Sequence, residues 1–141
     1  MPRILIIDDA ATVRMYHRNI LAEAGWDCDE AANGVEALER VHAQQPPYDL
    51  YVVDVNMPRM DGYAFLRELR SLPGVAQAPA VMVSTEAQAR DASAGFEAGA
   101  NCYLVKPSKG HELVLSAALL LGDLAAADAA AQTMAQAGGA A

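Results

Sequence analysis

The sequence predicts an α/β protein built on an open, doubly wound sheet of five parallel strands alternating with five helices. Three observations predict it. Short apolar runs rich in Ile and Val recur along the chain, segments of helical periodicity separate them, and the joints are short and marked by Pro or Gly. Such alternation implies right-handed crossovers with helices on both faces. Sheets of this type carry their sites outside the carboxyl ends of the strands, near the point where strand order reverses.

RILIID, residues 3–8, is apolar, too short for a helix, and ends in acids, as a buried strand would. From Thr12 to Gly25 the apolar positions Val13, Tyr16, Ile20, Leu21 and Ala24 recur at helical spacing, with Thr12 suited to cap the start and Gly25 the end. WDCDEA, 26–31, alternates like an edge strand, with Trp26 expected to pack on the surface. A helix from Val35 to Gln44 follows and is stopped by Pro46-Pro47. DLYVVD, 49–54, is the most apolar strand to this point and is expected at the centre of the sheet.

The loop after Asp54 runs to Gly62. Met57-Pro58 and Asp61-Gly62 are expected to shape it, Pro fixing one dihedral and Gly relieving another. Tyr63, Phe65, Leu66 and Leu69 mark a helix that ends before Pro73-Gly74. PAVMVST, 79–85, is the fourth strand, Ala87–Ala98 a weak helix with Gly95 inside it, and NCYLVK, 101–106, the fifth strand. Lys106-Pro107 then turns into a helix from about Ser108 to Leu121.

Residues 1–122 therefore form one domain and 123–141 an Ala-rich helical extension or tail, expected to prolong the last helix to about Ala135. Leu113, Leu115, Leu119, Leu120, Leu121 and Leu124 make that helix apolar around more than one face, which raises a homodimer as a second expectation beside a solvated extension.

Of the 141 residues, 53% are apolar and 20% charged, the composition of a soluble globular domain large enough to fold without metal or disulfide. A formal charge of -8 and scattered basic residues argue against direct contact with nucleic acid. With no long apolar run and an N-terminus that turns acidic early, the chain is expected in the cytoplasm, without a membrane partner. Cys28 and Cys102 fall in apolar segments, where a free thiol serves as a small core residue. His17, His42 and His111 share no ligand spacing, and Lys109 is expected in solvent.

The predicted strand ends carry Asp8-Asp9, Asp54, Ser84-Thr85 and Lys106-Pro107. Each has an ordinary structural explanation by itself, as a helix cap or a solvated charge. Together they place three carboxylates, a hydroxyl and an ammonium on one edge. Clustered carboxylates repel unless a cation is present, and Mg²⁺ suits an incomplete oxygen cage because it keeps several waters and shares its shell with phosphate. The backbone carbonyl of Asn56, two residues past Asp54, is a candidate further ligand. Ser84 and Lys106 are donors suited to phosphoryl oxygens, and Asp54 is the candidate nucleophile of an aspartyl phosphate.

In order and position, IIDDAATVR, VVDVNMPRMDG, VMVSTEA and YLVKP resemble the receiver domain of bacterial two-component response regulators, over residues 3 to about 122. The resemblance implies a flavodoxin-like, CheY-like fold with strand order 2-1-3-4-5, which puts Cys28 and Cys102 on opposite edges. It also implies Mg²⁺ held by Asp8, Asp9, Asp54 and the Asn56 carbonyl, and a phosphoryl group that Asp54 accepts from a histidine kinase or phosphotransfer protein. Ser84 and Lys106 would contact that group, and the Lys106-Pro107 peptide would be cis. On phosphorylation Ser84 would move toward the phosphate and Tyr103 would turn inward, altering the surface of the fourth helix, fifth strand and fifth helix. Such a protein catalyses only its own phosphorylation and dephosphorylation.

Two other classes fit the topology. A haloacid-dehalogenase-like phosphatase would want an acid at position 56, where Asn stands, and a flavin carrier would want a phosphate cradle in place of Asp8-Asp9-Ala10. No output domain is expected after residue 122, so the output is a bound partner. Asn56 and Glu86 look like the chemotaxis pattern, while Thr85 departs from the small residue common there; a stand-alone phosphorelay or kinase-docking protein is the alternative.

Overall fold

Strands β1 (Arg3–Ile7), β2 (Asp27–Ala31), β3 (Leu50–Asp54), β4 (Ala80–Ser84) and β5 (Cys102–Val105) alternate with helices α1 (Ala11–Glu23), α2 (Gly34–Ala43), α3 (Gly62–Ser71), α4 (Ala89–Ala98) and α5 (Gly110–Leu121) in the computed structural model, which ends in α6 (Leu124–Gly139). The structure describes residues 1–106 and 109–139, with side chains to residue 136. The sheet is parallel throughout, in the order β2-β1-β3-β4-β5.

Strand alternation sorts the core into two layers. Leu5, Ile7, Tyr51, Val53, Ala80 and Met82 face α2, α3 and α4 through Ala37, Val41, Phe65, Leu66, Leu69 and Ala98. Their neighbours Ile4, Ile6, Leu50, Val52, Val81 and Val83 meet Leu21 of α1, Leu113, Ala117 and Ala118 of α5, and Ala127 of α6. Every residue of β3 and β4 is buried, as central strands covered on both faces must be. Cys28 and Cys102 stand on the two edge strands and are free.

Local chemistry sets the helix starts, with small departures from the sequence reading. Helix α1 begins at Ala11 with Ala10 at its cap, so Thr12 lies inside the helix. The Asn33 side chain caps α2, accepting from Glu36 N–H at 2.9 Å, and Asp61 caps α3, accepting from Ala64 N–H at 2.8 Å. Helix α4 starts two residues later than residue 87, where the Gln88 N–H donates to the Asp91 carboxylate at 3.1 Å.

The tail does not prolong α5. Gly122 adopts a left-handed φ of 75°, the Asp123 N–H donates to the Ala118 carbonyl at 2.9 Å, and a separate helix begins. One carboxylate oxygen of Asp123 caps α6 through Ala126 N–H at 3.1 Å, and the other accepts the Trp26 indole N–H at 3.0 Å. Helix α6 returns along α5, and Thr133 lines a groove shared with His111 at the start of α5, Ile20 of α1 and Ala24 just past its end. Trp26 is consequently buried, at 3% exposure, and is not the surface residue its edge-strand position suggested. Leu115, Leu120 and Leu121 pack against the layer that contains Ala127, while Leu119 and Leu124 remain exposed.

A chain ending at residue 122 should therefore lose about 1–3 kcal/mol, the scale of one charge-assisted hydrogen bond and a few uncovered methyl groups. Its Trp26 emission should shift to the red. An unchanged spectrum and unchanged urea midpoint would show that α6 does not hold Trp26.

Candidate functional site at the carboxyl edge of the sheet

Register brings the acids together. Ile7 pairs with Val53, so Asp8 and Asp54, one residue further on, leave the sheet side by side; Ser84 pairs with Val105, placing Lys106 next beyond it. Asp8 and Asp54 are buried and Asp9 is exposed, with one carboxylate oxygen from each lying within 4.8 Å of the others. The Lys106 ammonium reaches across to Asp54 Oδ1 at 2.9 Å and to Asp8 Oδ2 at 3.0 Å. The other Asp8 oxygen accepts the Ala10 N–H at 2.9 Å, while Arg14 donates to the Asp8 carbonyl at 2.6 Å and ties it to Glu30.

This packing sets the protonation energetics. Burial lifts the Asp54 pKa above the usual carboxylate range; the hydrogen bond from Lys106 opposes that lift, and the charges of Asp8 and Asp9 add to it. Burial also acts to lower the Lys106 pKa, but its hydrogen bonds to Asp54 and Asp8 outweigh that, and the ammonium is held above its ordinary value.

The donor set suits a hard divalent cation. Oxygen ligands at 2.0–2.1 Å on opposite sides of an octahedral ion stand about 4.2 Å apart, a spread close to that of these carboxylates. The Asn56 carbonyl accepts no hydrogen bond among the described residues, whereas its neighbours are used: Gly62 N–H donates to Val55 O at 2.9 Å and Met60 N–H to Pro58 O at 2.8 Å. Asn56 is thus available as a fourth oxygen.

The loop that presents Asp54 departs from the sequence reading in one respect. Positive φ falls on Arg59, at 69°, and not on Gly62. Gly62 is needed for space: a Cβ there would collide with the Asp54 carbonyl oxygen and stand 3.1 Å from Met82 Cε. Asp61 serves as the α3 cap, Pro58 is exposed, and Pro107 with its peptide bond lies outside the described residues.

Ser84 is fully buried and its Oγ accepts the Glu86 N–H at 3.0 Å. Half-buried Tyr103 donates to the carbonyl of the same Glu86 at 2.8 Å, so both expected switch residues are fastened to one exposed loop residue. Thr85 is exposed.

Three residues near the site were not singled out from sequence. Gly95 lets the Tyr103 ring lie against α4, since a Cβ would stand 3.0 Å from the ring; its signal was a glycine inside a helix. Tyr63 donates to the Asp91 carbonyl at 3.2 Å, although its spacing marked it only as a core position. His17 is buried, its Nδ1 has no partner among the described residues, and burial lowers its pKa while Asp8 and Lys106 act on it in opposite directions. No spacing announces His17, because α1 brings it to the site through packing.

Comparison with known proteins agrees with the fold. A family model described as the response regulator receiver domain matches residues 4–118, which leaves α6 outside the match. The gliding motility regulatory protein of Myxococcus xanthus is 37% identical over 115 residues, covering 82% of this chain and 14% of that protein. This chain spans less than half the length of the curated relatives it matches. Chemotaxis protein CheY4 of Vibrio cholerae superposes with a TM-score of 0.78 at 30% identity, over 85% of this chain and 98% of that one. A receiver domain from a signal transduction histidine kinase of Syntrophus aciditrophicus does so at 0.78 and 32%, over 87% and 92%.

Proposed function

Because the chain belongs to the response regulator receiver domain family, a signalling family of two-component systems rather than one of metabolic enzymes, we propose that it is switched by phosphorylation of Asp54. The observation that carries this reading is the Lys106 ammonium bridging Asp54 and Asp8 beside the third carboxylate. In the reaction, an Asp54 carboxylate oxygen forms a bond to phosphorus as the bond from phosphorus to the kinase histidine nitrogen breaks, and the electron pair returns to the imidazole. Lys106 and Ser84 donate to the phosphoryl oxygens, and the buried setting of Asp54 limits competing water. Asp8, Asp9, Asp54 and the Asn56 carbonyl would hold Mg²⁺, which supplies the positive charge that a dianionic phosphoryl group needs in this acidic cluster.

Output follows from the surface of α4, β5 and α5, where Phe96 and Val105 are exposed beside Tyr103. We place the protein in the cytoplasm, among sensor kinases, phosphotransfer proteins and an output partner; among the described residues no helix is long and apolar enough to cross a membrane. Asn56, Glu86 and the likeness to a Vibrio chemotaxis protein favour a chemotaxis role over a stand-alone relay. Exposed Leu119 and Leu124 support self-association, which truncation at residue 122 tests by molecular mass.

Adding Mg²⁺ with beryllofluoride or acetyl phosphate should shift the amide resonances of residues 84–91 and the ring resonances of Tyr103. Trp26 is the poorer probe, since it precedes β2 at the opposite edge of the sheet. The activated form should bind a flagellar switch peptide and the resting form should not, if the output is chemotactic. A silent parent, or an equal response from Asp54→Asn, would sink the assignment.

A further inference from the structure

Asp8 and Asp9 leave the end of β1 as neighbours, joined by one planar peptide group. The carbonyl oxygen of Asp8 marks the ψ angle of that residue, so holding the oxygen sets where Asp9 stands relative to Asp8. A side chain holds it. Arg14, in the first turn of α1, donates to this oxygen from Nη1 at 2.6 Å and to Glu30 Oε1 on β2 from Nε at 3.0 Å. The Asp8 N–H is fixed as well, donating to the Ala31 carbonyl of β2 at 3.1 Å. Arg14 is thus the contact that ties Asp8 to the helix and to the edge strand at once.

Arg18, one turn further along α1, supplies an internal comparison. Its Nη1 donates to the other Glu30 oxygen at 2.7 Å, and among the described residues it makes no hydrogen bond to Asp8, Asp9 or Asp54. Its side chain is 49% exposed, against 18% for Arg14. The two arginines share a partner, but only Arg14 reaches the acidic cluster. The planar fork of a guanidinium suits that task, since it serves two acceptors in fixed geometry where an ammonium acts as a point charge.

We propose that Arg14, anchored by Glu30, is a positioning residue of the cation site, setting the backbone from which the Asp8 and Asp9 carboxylates project; this rests on the reading of those acids as Mg²⁺ ligands. Charge and position predict opposite signs. A positive charge beside three carboxylates opposes cation binding, so by electrostatics alone its removal would tighten Mg²⁺. Loss of a positioning contact weakens it.

In the full chain, Arg14→Met should bind Mg²⁺ about tenfold more weakly, the lower end of what losing support behind a metal ligand costs. Titration with the metal alone, followed through the amide resonances of Asp54 and Asn56, measures this. In the metal-free protein the Lys106 Nζ resonance should also move, because Asp8 Oδ2 is its partner at 3.0 Å. Arg14→Lys keeps the charge and loses the fork, so it too should bind more weakly, and it carries the test should the Met variant fail to fold. Arg18→Met should match the parent in both readouts. Binding equal to or tighter than the parent in an Arg14 variant, an unmoved Lys106 resonance, or an equal loss in Arg18→Met would overturn the inference. A parent that binds no Mg²⁺ overturns the metal reading and this inference with it, whereas a binding parent matched by the Arg14 variants overturns the inference alone.

Discussion

Asp54→Asn should melt above the parent in metal-free buffer at neutral pH, while losing all phosphoryl acceptance. Burial and the charges of Asp8 and Asp9 raise the Asp54 pKa in the folded protein, against the hydrogen bond from Lys106. A folded pKa above the unfolded one means that the native state holds this proton more tightly, so ionising Asp54 destabilises the fold. That destabilisation is absent below the unfolded pKa, grows as pH rises between the two values, and is complete above the folded one. Asn abolishes it, and Lys106 keeps Asp8 at 3.0 Å, so the ammonium is not left unpaired.

The melting difference should therefore be largest at neutral pH and close toward acid. Mg²⁺ should reverse the order, because it binds the parent's folded state and not the variant's to the same degree. A hundredfold excess over Kd stabilises by about 2.7 kcal/mol. Melting curves with and without Mg²⁺ across this pH range test both signs. An Asn variant that melts lower than the parent without metal, or gains as much from Mg²⁺, would refute the account of the cluster.

Gly62→Ala should lower stability by about 1–3 kcal/mol, the usual scale of overpacking, and impair phosphorylation in the molecules that still fold. Its direction is diagnostic. Gly62 has no positive φ and begins α3, so on helix propensity alone Ala would stabilise by up to about 1 kcal/mol. Crowding against the Asp54 carbonyl opposes that gain, and backbone cannot move aside as a Met82 terminus can. Relief requires shifting either α3 or Asp54 itself. Urea midpoints decide the sign, and a stabilised, fully active variant would show that the space is not needed.

Much of the fold was legible because its signals are short in range. Five apolar runs, the helical periodicities between them and the acids or donors at the run ends all read from neighbouring residues, and the structure finds five parallel strands with those residues on one edge. Asn33 and Asp61 act as local caps whose chemistry is complete within three residues. Asp8, Asp54 and Lys106 were legible as a group because parallel strands deliver all their C-termini to the same side.

What lay beyond reach depended on contacts distant in sequence. An Ala-rich tail suits a helix in any setting, so its composition cannot tell a prolonged α5 from a returning α6; the Gly122 turn and the Asp123 contact with Trp26, 97 residues away, decide it. That contact also buries a tryptophan whose own neighbours read as edge strand. Tyr63 and Gly95 looked like ordinary helix residues until the fold brought the first turn of α4 against the one and the Tyr103 ring against the other. By itself the sequence determined the layered architecture and the chemical inventory of its candidate functional edge, because both follow from local periodicity and strand polarity. Only tertiary structure decided where α6 lies, why Gly62 has to be glycine and which residues brace Tyr103, because each depends on atoms that meet only after the chain has packed.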